Sequence, residues 1–140
     1  MILRHLPLAL FILLATTMVA QSADAPSNRT DAQGRKQGPW VRTWAESDQI
    51  RYTGQFKDDK PVGSFIYYST KGVLESKIDH YASGNASHGR HFHPTGKLMA
   101  EGRYVGQEKD STWTYFDTDG VLRSTENWRS GKMHGEMTTL

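Results

Sequence analysis

The chain repeats itself at an interval of 24 residues. Residues 65–74 read FIYYSTKGVL, and two intervals later residues 113–122 read WTYFDTDGVL. Segments that start at residues 41, 65, 89 and 113 align without a gap in an aromatic, a turn and an aliphatic column. These columns are Trp44, Tyr68, Phe92 and Phe116; Asp48, Gly72, Gly96 and Gly120; and Ile50, Leu74, Leu98 and Leu122. Such a repeat predicts stacked units that bury one shared apolar stripe.

Each unit has the pattern of a strand, a turn and a second strand. Aromatic and β-branched residues come in runs of about five, as strands prefer. The links between the runs are polar and hold a late Gly, which accepts a positive φ without strain. In the first copy we expect Asp48 to take this left-handed place, since Asp tolerates it better than most residues. Alternation predicts Phe65 and Tyr67 on one face of the sheet and Ile66 on the other.

No helical period is visible beyond residue 20, so consecutive hairpins are expected to form the whole fold. We predict an all-β protein, an elongated antiparallel β-meander of stacked hairpin repeats in one twisted, single-layer sheet. Four full units and a terminal half-unit give roughly nine or ten strands.

The first residues have the pattern of a secretory signal peptide. Arg4 and His5 precede an apolar run over residues 6–20, and small residues follow. We predict a signal peptide at residues 1–20 with cleavage near Ala20 to Ala23, a flexible leader at residues 21–30 and a repeat domain at residues 31–140. The protein is then secreted or periplasmic, without a lipid-modified Cys. A retained membrane anchor is the alternative, although a span needs ~20 apolar residues.

Composition and motifs argue against two classes of function. Lys and Arg number 17 against 15 Asp and Glu, whereas a dedicated nucleic-acid binder needs a strong basic surplus. The chain has no cysteine, and therefore neither disulfides nor a thiolate nucleophile. It also lacks a G-x-S-x-G nucleophile elbow and a Gly-rich phosphate loop. We therefore predict a non-enzymatic protein without a cofactor.

The units resemble the MORN repeat, in the variant form that is common in bacterial proteins. The resemblance covers about residues 31–140 and rests on a G-x-W/F, G-x-L and aromatic-x-x-G pattern. Its members are Gly38-Pro-Trp40, Gly63-Ser-Phe65, Gly72-Val-Leu74, Tyr81-Ala-Ser-Gly84, Gly120-Val-Leu122 and Trp128-Arg-Ser-Gly131. The copies depart from it at Asp48, His91 and Ser111. The resemblance implies a binding or assembly surface; family members are linked with membranes and protein partners, and one bacterial group is antitoxin-like.

Aromatic residues at repeat positions are the candidate partner-binding site. The set comprises Trp40, Phe65, Tyr67, Trp113 and Tyr115. An aromatic stripe that a single-layer sheet leaves partly uncovered would suit a partner. The alternative is that these side chains pack across strands and hold neighbouring units together.

A histidine group offers a weaker alternative, a metal site. His91 and His93 lie two residues apart, which puts both rings on one strand face, and His80 on the preceding strand would be a third ligand. His91 also falls where Tyr67 and Tyr115 lie in the repeat, so its role as a repeat aromatic is the main expectation, without a metal.

We predict an exported scaffold that binds another protein through its sheet face or an open edge strand. Binding to a lipid headgroup at a membrane surface, or to a glycan, is the alternative, because aromatic rings stack on sugars and the first two units are basic. An antitoxin or immunity role is a further alternative implied by the family resemblance. Nucleic acid is not an expected partner, and self-association through edge strands is a further expectation.

Overall fold

The computed structural model describes residues 27–82 and 85–140, and all regular structure in them is β-strand. Eleven strands form one antiparallel sheet, which confirms the predicted all-β meander. They are β1 Arg29–Thr30, β2 Lys36–Thr43, β3 Ile50–Lys57, β4 Lys60–Tyr68, β5 Leu74–His80, β6 Ala86–Phe92, β7 Leu98–Val105, β8 Glu108–Phe116, β9 Leu122–Arg129, β10 Lys132–Met133 and β11 Thr138–Thr139. The count exceeds the predicted nine or ten because three of these strands have only two residues.

The order of strands in the sheet follows the chain from β1 to β10, and the sheet stays open. Both β10 and β11 pair with β9, opposite different parts of it. The outer side of β9 is therefore covered by one broken strand. Each strand contacts its neighbours in sequence, as expected for a chain of stacked hairpins.

One end of the sheet carries turns of five or six residues, and a glycine closes three of them. Gly72, Gly96 and Gly120 have φ values of 77°, 85° and 84°, which confirms the predicted turn column. The prediction for Asp48 is wrong: in the first copy Glu46, with a φ of 56°, takes the left-handed conformation. The first link runs over residues 44–49, one residue longer than the link over residues 69–73, so the position of the turn moves.

The other end of the sheet carries two-residue turns. Asp58 and Asp59 both have positive φ, 52° and 65°, as the favoured hairpin turns require. Gly106–Gln107 and Ser130–Gly131 form the corresponding links between β7 and β8 and between β9 and β10. Two links at this end are longer, residues 31–35 between β1 and β2 and residues 81–85 between β5 and β6.

The sheet begins earlier than the predicted domain boundary. β1 pairs with the start of β2, and the Asn28 N–H donates to the Pro39 carbonyl oxygen at 2.9 Å. The Asn28 side-chain oxygen accepts from the Val41 N–H, also at 2.9 Å. Residues 28–30 are therefore part of the sheet rather than of a flexible leader. The predicted signal peptide and residues 21–26 lie outside the described residues.

The two faces of the sheet differ in chemistry. On the aromatic face Trp40, Phe65 and Trp113 are 7%, 3% and 1% exposed, and Ala100 is the other buried hydrophobic side chain. The opposite, charged face carries ionic side chains that alternate with the aromatic-face residues along β5 to β7. The hydrophobic core of the described residues thus lies on one face, with Phe65 and Tyr67 side by side there as predicted.

Candidate binding groove

The first aromatic cluster spans β2 to β4. The Trp40 and Phe56 rings meet edge to face with centroids 5.5 Å apart, and Phe56 meets Phe65 in the same way at 5.1 Å. Tyr52 lies 5.7 Å from Tyr67, its register partner on β4. These separations are those of favourable ring pairs, so the cluster holds three strands together.

The second aromatic cluster spans β6 to β8. Tyr104 meets the Trp113 ring edge to face at 4.8 Å, and His91 stacks on the same ring at 5.8 Å. Tyr115 lies beside Trp113 with centroids 6.5 Å apart. The buried Trp113 indole N–H donates to the Arg103 carbonyl oxygen at 3.0 Å, so this polar group has its partner.

Glycines on the aromatic face make room for the central ring of each cluster. A Cβ atom at Gly54 would lie 2.4 Å from the Phe65 ring, and one at Gly102 would lie 2.4 Å from the Trp113 ring. The strand register shifts around both glycines. Sequence reasoning did not single out these two glycines. The sequence does carry a signal for them, because Gly54 and Gly102 are separated by two repeats, as are the rings that they accommodate, Phe65 and Trp113.

An open groove with a cavity volume of about 780 Å³ separates the two clusters. Ser87 on β6 lines the groove, and Gly89 on the same strand leaves room for the Tyr104 ring, because a Cβ atom there would lie 2.5 Å from it. The groove is lined by Tyr52, Phe56, Pro61, Phe65, Tyr67, Ile78, His80, Asn85, Ser87, Tyr104, Gly106 and Gln107. Its size falls in the range of sites that bind ligands in proteins.

The groove walls carry no formal charge at neutral pH. Burial lowers the pKa of His80 below the ordinary 6.5, although the neighbouring Asp79 charge acts in the opposite direction. Burial raises the pKa of the Tyr67 and Tyr104 hydroxyls above 10. Asn85 and Gln107 add uncharged hydrogen-bonding groups near the two-residue turns. The groove thus offers aromatic rings and neutral polar groups.

The predicted partner-binding residues occupy different environments. Trp40, Phe65 and Trp113 are buried, so they offer little surface and act mainly in packing, the alternative role given above. Tyr67 lines the groove. Tyr115 is part-buried in the second cluster, where its hydroxyl donates to Glu126 at 2.5 Å. Burial, followed by this hydrogen bond, raises the Tyr115 pKa well above 10.

Other groove residues could not be chosen from the sequence. Tyr52, Ile78 and Tyr104 lie on three different strands, and which of them face the same space depends on strand register. Their aromatic or aliphatic character alone did not distinguish them from residues of the repeat columns. Phe56, His80, Tyr104 and Trp128 form a fourth repeat column, but their recurrence does not show which of them face the groove.

Two lysines are held over aromatic rings at the outer parts of the face. The Lys36 Nζ lies 5.4 Å from the Trp40 ring centroid and 4.8 Å from that of Phe56. The Lys109 Nζ lies over three rings, those of Trp113, Tyr115 and Trp128, at 4.7, 5.2 and 4.7 Å. It also donates to the Tyr115 hydroxyl at 2.8 Å. Cation–π attraction stabilises both arrangements.

The structure does not bring the three predicted histidines together. His80 packs edge to face on Phe65 at 5.2 Å. The His91 Nε2 atom is 3.0 Å from the Tyr104 hydroxyl, and that of His93 is 3.0 Å from the Phe116 carbonyl oxygen. Within residues 27–82 and 85–140 no three His, Cys, Asp or Glu side chains are placed to share a metal ion. The alternative metal site is therefore not formed.

Charged side chains on the charged face form ion pairs with one another. Arg90 bridges Asp79 at 3.2 Å and Glu101 at 3.5 Å, and His88 lies 3.1 Å from Glu101. The Ser64 hydroxyl also donates to Asp79, and this bond is the main cause of the lowered Asp79 pKa. These part-exposed pairs neutralise one another, so the aromatic face is the better candidate for a binding surface.

No protein-family model, curated protein or solved structure matches this chain. The resemblance to MORN repeats therefore stays a prediction from the residue pattern. For the part of the chain with described coordinates, no helix has the length and apolar character needed to cross a membrane.

Proposed function

We propose that this protein is a non-enzymatic binding scaffold of the cell envelope and that its groove contacts another protein. One observation carries the proposal: an open groove of about 780 Å³ lies between two packed aromatic clusters in the middle of the sheet face. Its envelope location rests on the signal-peptide pattern of residues 1–20. The resemblance to MORN repeats supports a role in binding rather than in catalysis.

Physical arguments favour the groove over the rest of the surface. Binding is cheaper in conformational entropy when the receiving side chains are already held by packing. Phe65 is buried among Phe56, Tyr67 and His80, so the rings around it are held in place before a partner arrives. The partner side chains that contribute most to affinity usually insert into well-packed pockets at the centre of an interface, and the groove offers such a pocket.

Site-specific photo-crosslinking tests the proposal. A benzoylphenylalanine in place of Tyr67 would lie in the groove, whereas one in place of Thr114 would lie on the charged face. We expect position 67, and not position 114, to crosslink to one envelope protein. Equal crosslinking from both faces, or none from position 67, would reject a protein partner in the groove.

A second candidate, glycan binding, is favoured by the mixed lining. Sugars present an apolar ring face and hydroxyls, and the groove offers rings beside Asn85, Ser87 and Gln107. A glycan array read with the parent protein separates the two candidates. Saturable binding to one saccharide, removed by replacing Tyr67 with Ala, would favour a glycan.

A further inference from the structure

Four residues hold the same position in consecutive repeats, and we call it the lysine position. It is occupied by Lys36, Pro61, Asn85 and Lys109. The strand register establishes the equivalence of two of them, because Phe56 pairs with Pro61 and, two repeats later, Tyr104 pairs with Lys109.

The register two residues further along establishes the equivalence of all four. Gly38, Gly63, Ser87 and Ser111 each follow the lysine position by two residues and pair with Phe56, His80, Tyr104 and Trp128, respectively. Lys36 precedes Pro61 by 25 residues rather than 24 because the first link is one residue longer.

The outer repeats cover their own rings with a lysine. In each, the lysine is four residues before a buried tryptophan, Trp40 or Trp113, and its Nζ lies over that ring and over one on the following strand. Each outer repeat thus carries a built-in occupant, whose methylenes and ammonium cover aromatic surface.

The middle repeats lack this occupant. Pro61 and Asn85 are too short to reach across the rings, and both line the groove. Phe65 and His80 stand at the positions of Trp113 and Trp128, and Tyr67 at that of Tyr115. The groove is therefore the space that a lysine covers in the outer repeats.

The chemistry of the open space differs from that of the second cluster. Ile78 occupies the position that Glu126 holds two repeats later, so the groove lacks both the acid and the lysine of the second cluster. Two ammonium groups, those of Lys36 and Lys109, remain on either side of it. Transferring a charged group into a neutral site costs free energy, and neighbouring cations would add repulsion for an incoming lysine.

We propose that the groove receives an uncharged, mainly apolar side chain that the partner protein presents. This inference rests on the proposed function and specifies the chemistry of that contact. The neutral lining makes the burial of an apolar group favourable, and the flanking ammonium groups select against a cation.

Small probes test the chemistry without knowledge of the partner. The purified protein is titrated with N-acetyl-leucinamide, N-acetyl-tyrosinamide, N-acetyl-lysinamide and methyl glucoside, and the ring protons of Tyr52, Tyr67 and Tyr104 are followed by NMR. We expect a preference of roughly tenfold for the leucine and tyrosine probes over the lysine probe. Tighter binding of the lysine probe or of the glucoside, or no shift with any probe, would overturn the inference.

Two substitutions test the location. Pro61→Met places a long uncharged side chain at the position from which Lys109 lies over its rings, so it should cover the groove from within, abolish the probe shifts and raise the thermal midpoint. Pro61→Ala leaves the groove open and should keep the probe shifts. Unchanged probe binding in Pro61→Met would contradict the inference.

The two proposals can fail separately. If position 67 crosslinks to an envelope protein while the lysine probe binds most tightly, the function stands and the inference about partner chemistry falls. If the probes rank as expected but position 67 gives no protein crosslink, the groove is selective and the protein partner is rejected.

Discussion

At Gly54 and Gly102 the neighbouring strand places an aromatic ring where another residue would have its own side chain. This contact determines the shape of the core, because the rings of Phe65 and Trp113 lie directly on the backbone of the adjacent strand. A glycine in a strand is usually unfavourable, so the close ring contact offsets a local cost.

Replacing Gly102 with Ala should destabilise the protein. The new Cβ would lie 2.4 Å from the Trp113 ring, so the ring must move within a buried cluster. Overpacking of this kind costs about 1–3 kcal/mol. Urea unfolding of the parent and the variant measures the difference. The double variant Gly102→Ala, Trp113→Leu is the control, since a smaller side chain should remove most of the additional cost. Equal costs of the glycine substitution in both backgrounds would exclude the ring contact as its cause.

His91 should make stability depend on pH. Burial, and then the Lys109 charge, lower its pKa in the folded protein below 6.5, while Tyr104 and Trp113 are its other neighbours. Above pH 6.5 its stabilising contribution is complete. As the pH falls through the folded pKa this contribution is lost, because the unfolded chain binds the proton first. We expect the free energy of unfolding, measured by urea titration at a series of pH values, to decrease as the pH falls below 6.5.

The variant His91→Tyr provides the control for this prediction. Tyr occupies the equivalent repeat positions 67 and 115, so the substitution keeps an aromatic ring and removes the titrating group. Its pH dependence should be weaker, with a remainder from His80, whose pKa burial also lowers. An identical slope in parent and variant would exclude His91 as its source.

At the scale of the hairpin, the long turns use one side chain to hold the backbone. The Asp117 carboxylate accepts from the N–H groups of Asp119 and Val121, both at 2.9 Å, and Ser69 makes the corresponding bonds in its turn at longer distances. Asp117 is also paired with Arg123. The hydrogen bond from the Val121 N–H, followed by those from Arg123 and from the Asp119 N–H, lowers the Asp117 pKa.

The strand residue six positions after the first residue of the turn differs in charge between the Asp117 turn and the Ser69 turn. Arg123 accompanies Asp117, and two repeats earlier Glu75 accompanies the neutral Ser69. We therefore expect Arg123→Glu to lower the thermal midpoint slightly, because a carboxylate would then face Asp117. Adding Asp117→Ser to that variant reproduces the other turn and should recover part of the loss. Thermal melts of the parent, the two single variants Arg123→Glu and Asp117→Ser, and the double variant measure the coupling, and additive effects of the two substitutions would contradict it.

Much of each hairpin follows from the sequence, because turn glycines and alternating aromatic residues are local signals. Gly72, Gly96 and Gly120 close the turns as predicted. The prediction for Asp48 was wrong because the first link has one extra residue, which moves the left-handed position to Glu46. Asn28 and β1 were missed because a two-residue strand has no periodic pattern and gains its structure from the edge of β2.

At the scale of the whole molecule, neighbouring strands are the main source of stability for each unit. Removal of residues 132–140 would uncover the outer side of β9, which β10 and β11 pair with in the intact sheet. We expect amides of β8 and β9 to exchange at least roughly tenfold faster, while those of β3 to β5 keep their rates. Hydrogen exchange at low protein concentration measures this, since an exposed edge also favours self-association. Uniform acceleration over all strands would show instead that the sheet unfolds as one unit.

The groove could be predicted from the sequence only in part. The aromatic character of Tyr67 marked it as a candidate, and it does line the groove. Trp113 is an aromatic repeat residue of the same kind, but it is buried. Gly102 on the adjacent strand β7 has no side chain, so the Trp113 ring lies directly on the backbone there. Whether a repeat aromatic faces solvent or the core thus depends on the residue opposite, and sequence reasoning had not established which residues are opposite.

The aromatic block around Phe65 recurs two repeats later around Trp113, and these two blocks differ in whether a lysine covers the rings, since Pro61 stands in the first where Lys109 stands in the second. Four strands are therefore the natural block in which such a chain can be lengthened by gene duplication. Each added block would bring one recess of its own. A codon change at the position of Pro61 or Lys109 would then decide whether that recess is accessible, so a lineage could alter the number of binding sites on one molecule without rebuilding the sheet.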